Sequence, residues 1–158
     1  DRALWQGRDA LHERVAQGRL VDGHGDLRSE HVCLLRPPVV IDCIEFNARL
    51  REVDPYDELA FLGLECDMAG ADWIGPQLIE GCARAWNDTL PVRLLHLYTA
   101  VRALLRARLA MAHLLDAQPR TPQRWAPTAR RYLERGLRAL DAFERMDRFS
   151  AATRRGWP

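Results

Sequence analysis

The chain has 158 residues, 47% of them hydrophobic, and its 23 Lys and Arg nearly cancel its 22 Asp and Glu to leave a formal charge of +1. That length fits one domain able to bury a real core, and so even a balance excludes a global field for nucleic acid or an anionic membrane surface. No apolar run reaches the roughly 18 residues that span a bilayer, no basic-then-apolar signal opens the chain, and the four cysteines form no CxxC, so a cytoplasmic protein with reduced thiols is expected.

A helix is predicted from Ala3 to Val15, where Leu4, Leu11 and Val15 recur at helical intervals and Gly18 is placed to stop the run. A chain that begins inside a helix at Asp1, without methionine, reads as a piece of a longer protein. A loop from Asp22 to Glu30 leads to two strand-length runs, His31 to Leu35 and Val39 to Ile44, separated by Arg36-Pro37-Pro38, which can continue neither ladder. One β-hairpin is expected there. After the polar stretch FNARLREVDP, Asp54 is placed as an N-cap and Pro55 as the first residue of a helix that ends by Gly70. Further helices are predicted from Trp73 to Trp86, although Gly75, Pro76 and Gly81 weaken it, and from Val92 to Leu115, between Pro91 and Pro119. A last helix is predicted from Pro127 to Met146, followed by a polar tail. The expected fold is therefore predominantly α, an α+β arrangement of helices plus one hairpin.

The two runs of the hairpin are nearly equal, so the second returns the chain to where the first departed. Asp26, before the outgoing run, and Asp42, near the end of the returning one, should lie close together. Two converging carboxylates repel unless a cation or a proton lies between them, and magnesium with a nucleotide phosphate suits such hard oxygen ligands.

The motifs themselves resemble a known family. HGDLRSEH is similar to the catalytic loop of aminoglycoside phosphotransferases and choline kinases, written H-G-D-x-x-x-x-N, a relative of the protein-kinase loop. VVIDCIEF resembles the strand and metal-binding aspartate that follow. DPYDELAFL resembles the family's D-P-x-x-D-L-A helix start, with Glu58 where aspartate is usual. IDCIEFN followed by DELAFL is most similar to a bacterial branch in which such a domain is fused to a P-loop ATP-binding domain.

The resemblance implies the C-terminal lobe of a protein-kinase-like fold, with the hairpin carrying the catalytic and metal-binding loops, and an ATP-dependent kinase acting on a hydroxyl-bearing small molecule. Asp26 would be the catalytic base and Asp42 the ligand of magnesium bridging the ATP phosphates. His24 would be a structural member of the loop, Gly25 would permit its turn, and Glu58 would brace it. The family's asparagine is replaced here by His31, a softer ligand that suits manganese better than magnesium. Glu45 and Asn47 are further oxygen donors, weighed against solvated or capping roles, and His31 is weighed against a histidine bonded to backbone. Neither an N-terminal β-lobe nor the P-loop signature G-x-x-x-x-G-K-S/T is present, so the lobe that holds the nucleotide would come from elsewhere in the full protein, and the fragment alone should be a poor ATP binder.

Arg102 and Arg106 share a helix face and are candidates for an anionic acceptor, or for pairing with Asp54, Asp57 and Glu58. Cys33 and Cys43 could form a zinc site across the hairpin, but core thiols are the expectation. The Arg120 to Arg138 series is expected to be a solvated helix face, with no aromatic interleaving for nucleic acid. Two rival functions are a catalytically impaired regulatory or scaffold module and, third, a metal-dependent phosphoester hydrolase using Asp26, Asp42 and His31.

Overall fold

Helices form wherever a capped run lies between glycine or proline stops, and they make up most of the chain; the computed structural model describes the backbone of residues 2–155 and the side chains of residues 2–146. The five helices among the described residues are α1 (Arg2–Ala16), α2 (Pro55–Met68), α3 (Ile74–Trp86), α4 (Val92–Ala112) and α5 (Pro122–Arg155). None is long and apolar enough to cross a membrane. By its internal contacts the chain falls into two compact units, one of Arg8–Pro91 and one joining the residues up to Gly7 with those from Val92 onward.

In the Arg8–Pro91 unit the helix stops follow local rules. Gly18 takes a φ of +66° after α1, and the Arg19 N–H reaches back to the Arg14 carbonyl at 3.0 Å, closing the helix in a Schellman turn. The same closure recurs after α2, where Ala71 donates to Cys66, and after α3, where Asn87 is left-handed and Asp88 donates to Ala83. Asp54 caps α2 by accepting the Tyr56 N–H, and Pro55 occupies the first turn, where its missing donor costs nothing. Gly75 does not break α3. It is the point where α3 meets α2, since a Cβ there would lie 2.9 Å from the Gly63 Cα.

The expected hairpin forms with shorter strands, and a second, separate antiparallel ribbon is added to it. β1 (Val21–Asp22) pairs with β4 (Glu52–Val53), and β2 (Val32–Cys33) pairs with β3 (Val39–Val40). Each strand has two residues because the ladder is soon taken over by side chains and turns. The Ile41 carbonyl is bonded by the His24 ring at 2.7 Å, and Asp42, at a φ of +64°, leaves the strand conformation altogether. The return of the chain survives as two isolated bonds, Ile41 N–H to the His31 carbonyl and Ile44 N–H to the His24 carbonyl, both 3.0 Å.

The buried face of α1 also differs from its apolar pattern. Leu4 and Val15 are 49% and 54% exposed, whereas Gly7 and Arg14 are buried. The reason is ionic: Arg14 is drawn inward by two aspartates.

In the other unit, α4 and α5 pack through small residues spaced three and four apart, Ala100, Ala103, Ala107 and Ala110 against Ala129, Tyr132, Gly136, Ala139 and Phe143. That is the seam spacing of paired helices. A Cβ on Gly136 would come within 3.2 Å of the Ala103 Cβ. The end of the predicted fourth helix is a 3₁₀ turn, His113–Leu115. The fifth helix starts five residues before Pro127 and, in place of a polar tail after Met146, continues to Arg155. Its start is helped by Trp125, which stacks on His113 with ring centroids 4.1 Å apart and donates to the Arg120 carbonyl. Residues 156–158 lie outside the described part.

Candidate active site

The HGD turn is fastened from below by Glu58. This buried carboxylate, in the first turn of α2, accepts the His24 N–H at 3.0 Å with one oxygen and the Gly25 N–H with the other. Gly25 adopts a φ of +84°, and a Cβ there would sit 2.9 Å from both Ile44 Cδ1 and the Leu50 carbonyl oxygen, so only glycine fits. The buried His24 ring spans the turn: Nε2–H donates to the Ile41 carbonyl, and Nδ1 accepts the Asp26 N–H at 3.3 Å.

One residue links the two aspartate loops. The His31 ring, 5.4 Å from the His24 ring and stacked on it, has Nδ1 at 2.9 Å from the Asp26 carbonyl and Nε2 at 3.3 Å from Asp42 Oδ2. A carbonyl oxygen can only accept, so Nδ1 carries a hydrogen, and in the neutral ring Nε2 faces Asp42 with its lone pair. Two lone-pair atoms at that distance call for a cation or a proton between them. Ligands about 2.1 Å from one ion and at right angles lie about 3.0 Å apart, so this pair fits one edge of an octahedral site. The Nδ1 bond to the Asp26 carbonyl fixes the orientation of the His31 ring. The pair supplies two candidate donors for one ion; among the described residues no group of three or more His, Cys, Asp or Glu converges. His31 is buried while the Asp42 side chain is 76% exposed. Asp42 takes a left-handed backbone, a region that Asp enters more readily than most residues.

Arg28 binds across the same loop. Its Nε meets Asp26 Oδ2 at 3.0 Å, its first terminal nitrogen bonds Glu30, and its second lies 3.0 Å from His31 Nε2. Of the other oxygen donors, Glu45 is exposed and Asn47 caps a 3₁₀ turn by accepting the Arg49 N–H at 3.1 Å.

Arg14 was missed in the sequence, although an arginine in the Schellman turn of a weakly apolar helix is a signal of sorts. It forms a fork with Asp54 at 2.6 and 3.1 Å and reaches Asp88 at 2.9 Å, all three being buried. The Asp54 hydrogen bond, opposed by burial and helped by Asp88, pushes the guanidinium pKa up. Asp54 is thus held by Arg14, and Glu58 by backbone amides. Arg106 points its Nε at the Tyr132 hydroxyl, 3.4 Å away.

Cys33 is half-buried and Cys43 exposed, so neither is a core thiol; Cys66 is buried, and burial pushes its pKa up, as it does for the half-buried Cys82. The C-terminal end of α3 borders an open groove of about 610 Å³, lined by Glu80, Arg84, Asn87 and Asp88 among others.

No family model matches the chain, and no solved structure does. It is 34% identical over 115 residues to uncharacterized proteins of Mycobacterium bovis and of two strains of Mycobacterium tuberculosis, an overlap of 72% of this chain. The overlap covers 23% of those relatives' length, so the chain corresponds to about a quarter of each.

Proposed function

We propose that the Arg8–Pro91 unit carries the base and metal loops of an ATP-dependent phosphotransferase that phosphorylates a hydroxyl of a small molecule. The observation that carries this reading is the histidine shared by the two aspartate loops, with His31 at 2.9 Å from the Asp26 carbonyl and at 3.3 Å from the Asp42 carboxylate. In this reading Asp26, whose side chain is 38% exposed, orients the acceptor hydroxyl and takes its proton. Asp42 and His31 hold magnesium or manganese. Bound there with ATP, such an ion would supply charge neutralisation for the transferred phosphoryl group. Glu58 keeps the HGD turn in the geometry that presents Asp26. The kinase-like lobe, the β-lobe and P-loop domain elsewhere in the full protein, the small-molecule acceptor with Arg102 and Arg106 as candidates to meet it, and a cytoplasmic setting belong to the same proposal.

Phosphoryl transfer by the full-length protein, measured with ATP and either metal against a panel of hydroxyl-bearing acceptors, tests it. Asp26→Asn and Asp42→Ala should abolish transfer, and His31→Asn should shift the preference from manganese toward magnesium. Undiminished transfer by Asp26→Asn would overturn the assignment. The engagement of His31 by Arg28 favours a second reading, a regulatory module that binds nucleotide without transfer; metal-dependent binding with no turnover on any acceptor would select it.

A further inference from the structure

Building on the phosphotransferase reading, we infer that Arg28 is a latch on the metal position: its guanidinium occupies the lone pair of His31 that a metal ion would use, and it must leave before the ion can enter. The fork is held at three points, Asp26 Oδ2 at 3.0 Å, Glu30, and His31 Nε2 at 3.0 Å, and the arginine side chain is 19% exposed. Since His31 Nδ1–H is committed to the Asp26 carbonyl, Nε2 is the ring's one available acceptor, and Arg28 has taken it. All partners lie within Asp26–His31, so the latch is built into one turn of chain and needs no other domain.

The geometry couples two events. A metal ion at His31 repels the guanidinium and removes its His31 contact. What remains are ion pairs with Asp26 and Glu30, both partly exposed and weak on their own. Arrival of the metal therefore loosens the bond that masks the Asp26 carboxylate, so that the base is uncovered when the metal site is filled. By reciprocity, uncovering Asp26 first favours the metal to the same extent. A planar five-donor fork is needed for this, because the ammonium of lysine cannot hold Asp26 and His31 at once in the same plane.

The test is titration of this chain with manganese alone, followed by electron paramagnetic resonance, so that no turnover enters the readout. Arg28→Gln should bind manganese about tenfold more tightly than the parent, as expected for loss of one competing charge-assisted bond. Arg28→Lys, which keeps the charge but not the fork, should also bind more tightly than the parent. In a His31→Gln background the gain from Arg28→Gln should vanish. Tightening by Arg28→Gln with none by Arg28→Lys would overturn the latch in favour of bulk charge, as would a gain that persists without His31. Should His31→Gln fail to fold, the comparison of the two Arg28 variants decides alone. Equal manganese binding by all Arg28 forms, lost in Asp42→Ala, would overturn the latch and spare the metal site. No manganese binding by any form would overturn both.

Discussion

Glu58 lies beneath the His24 amide and accepts its hydrogen at 3.0 Å while its second oxygen takes the Gly25 amide, so one carboxylate satisfies two consecutive backbone donors of the HGD turn. A residue of α2 therefore sets the shape of a loop 33 and 34 positions earlier. Glu58→Ala leaves both donors buried without an acceptor and should cost about 1–3 kcal/mol in urea unfolding. Glu58→Gln should be intermediate, because it keeps one acceptor oxygen but turns an amide donor toward an N–H. A loss below a few tenths of a kcal/mol for Glu58→Ala would show that the turn holds itself.

The Arg14 cluster makes an ordered prediction. Asp54→Ala removes both the cap of α2 and the forked partner of a buried guanidinium, and the expected loss is about 3–5 kcal/mol. Asp88→Ala should cost less, since Arg14 keeps its fork to Asp54. Parallel denaturation curves for the two variants check the order, and a reversal would mean that Asp88, not Asp54, neutralises Arg14.

Tyr56 is fully buried, beneath Arg14 at 5.1 Å and edge-on to Trp86, yet its hydroxyl has no hydrogen-bond partner among the described residues. Tyr56→Phe should then be neutral or stabilising by up to about 1 kcal/mol, because it removes an unsatisfied group and keeps the ring. A clear loss of stability would indicate that a bound water serves the hydroxyl.

His96, half-buried on α4, has its pKa held below the ordinary 6.5, first by burial and then by the Arg145 charge. The folded chain thus prefers the neutral ring, while the unfolded chain takes up a proton near 6.5. The stability tied to the neutral ring is fully present above that pH and is lost as the pH falls below it. Melting temperatures measured from pH 7.5 down to pH 5 should decline less in His96→Gln than in the parent; identical slopes would exclude His96 as a source of the acid sensitivity.

Much of this architecture is legible in the sequence, because helix ends are local events. Asp54 with Pro55, the glycines at 18 and 70, and Pro91 act on neighbours within a turn, and the helices start or stop beside them. The outward and return path between Asp26 and Asp42 is legible for a similar reason, since Arg36-Pro37-Pro38 forces a reversal. What sequence could not show is whatever depends on partners far along the chain. Arg14 is buried on α1, and the neighbouring Val15 exposed, because Asp54 and Asp88, 40 and 74 residues away, draw the guanidinium inward. The expected hairpin is present but short because the His24 side chain takes the Ile41 carbonyl and Asp42 turns left-handed, and the ribbon of Val21–Asp22 with Glu52–Val53 joins strands distant in the chain. At the candidate site, sequence names Asp26, His31 and Asp42, but the lone pair that His31 offers to Asp42, and the arginine that covers it, follow from the hydrogen bond its other nitrogen makes, and only packing in three dimensions decides which bond that is.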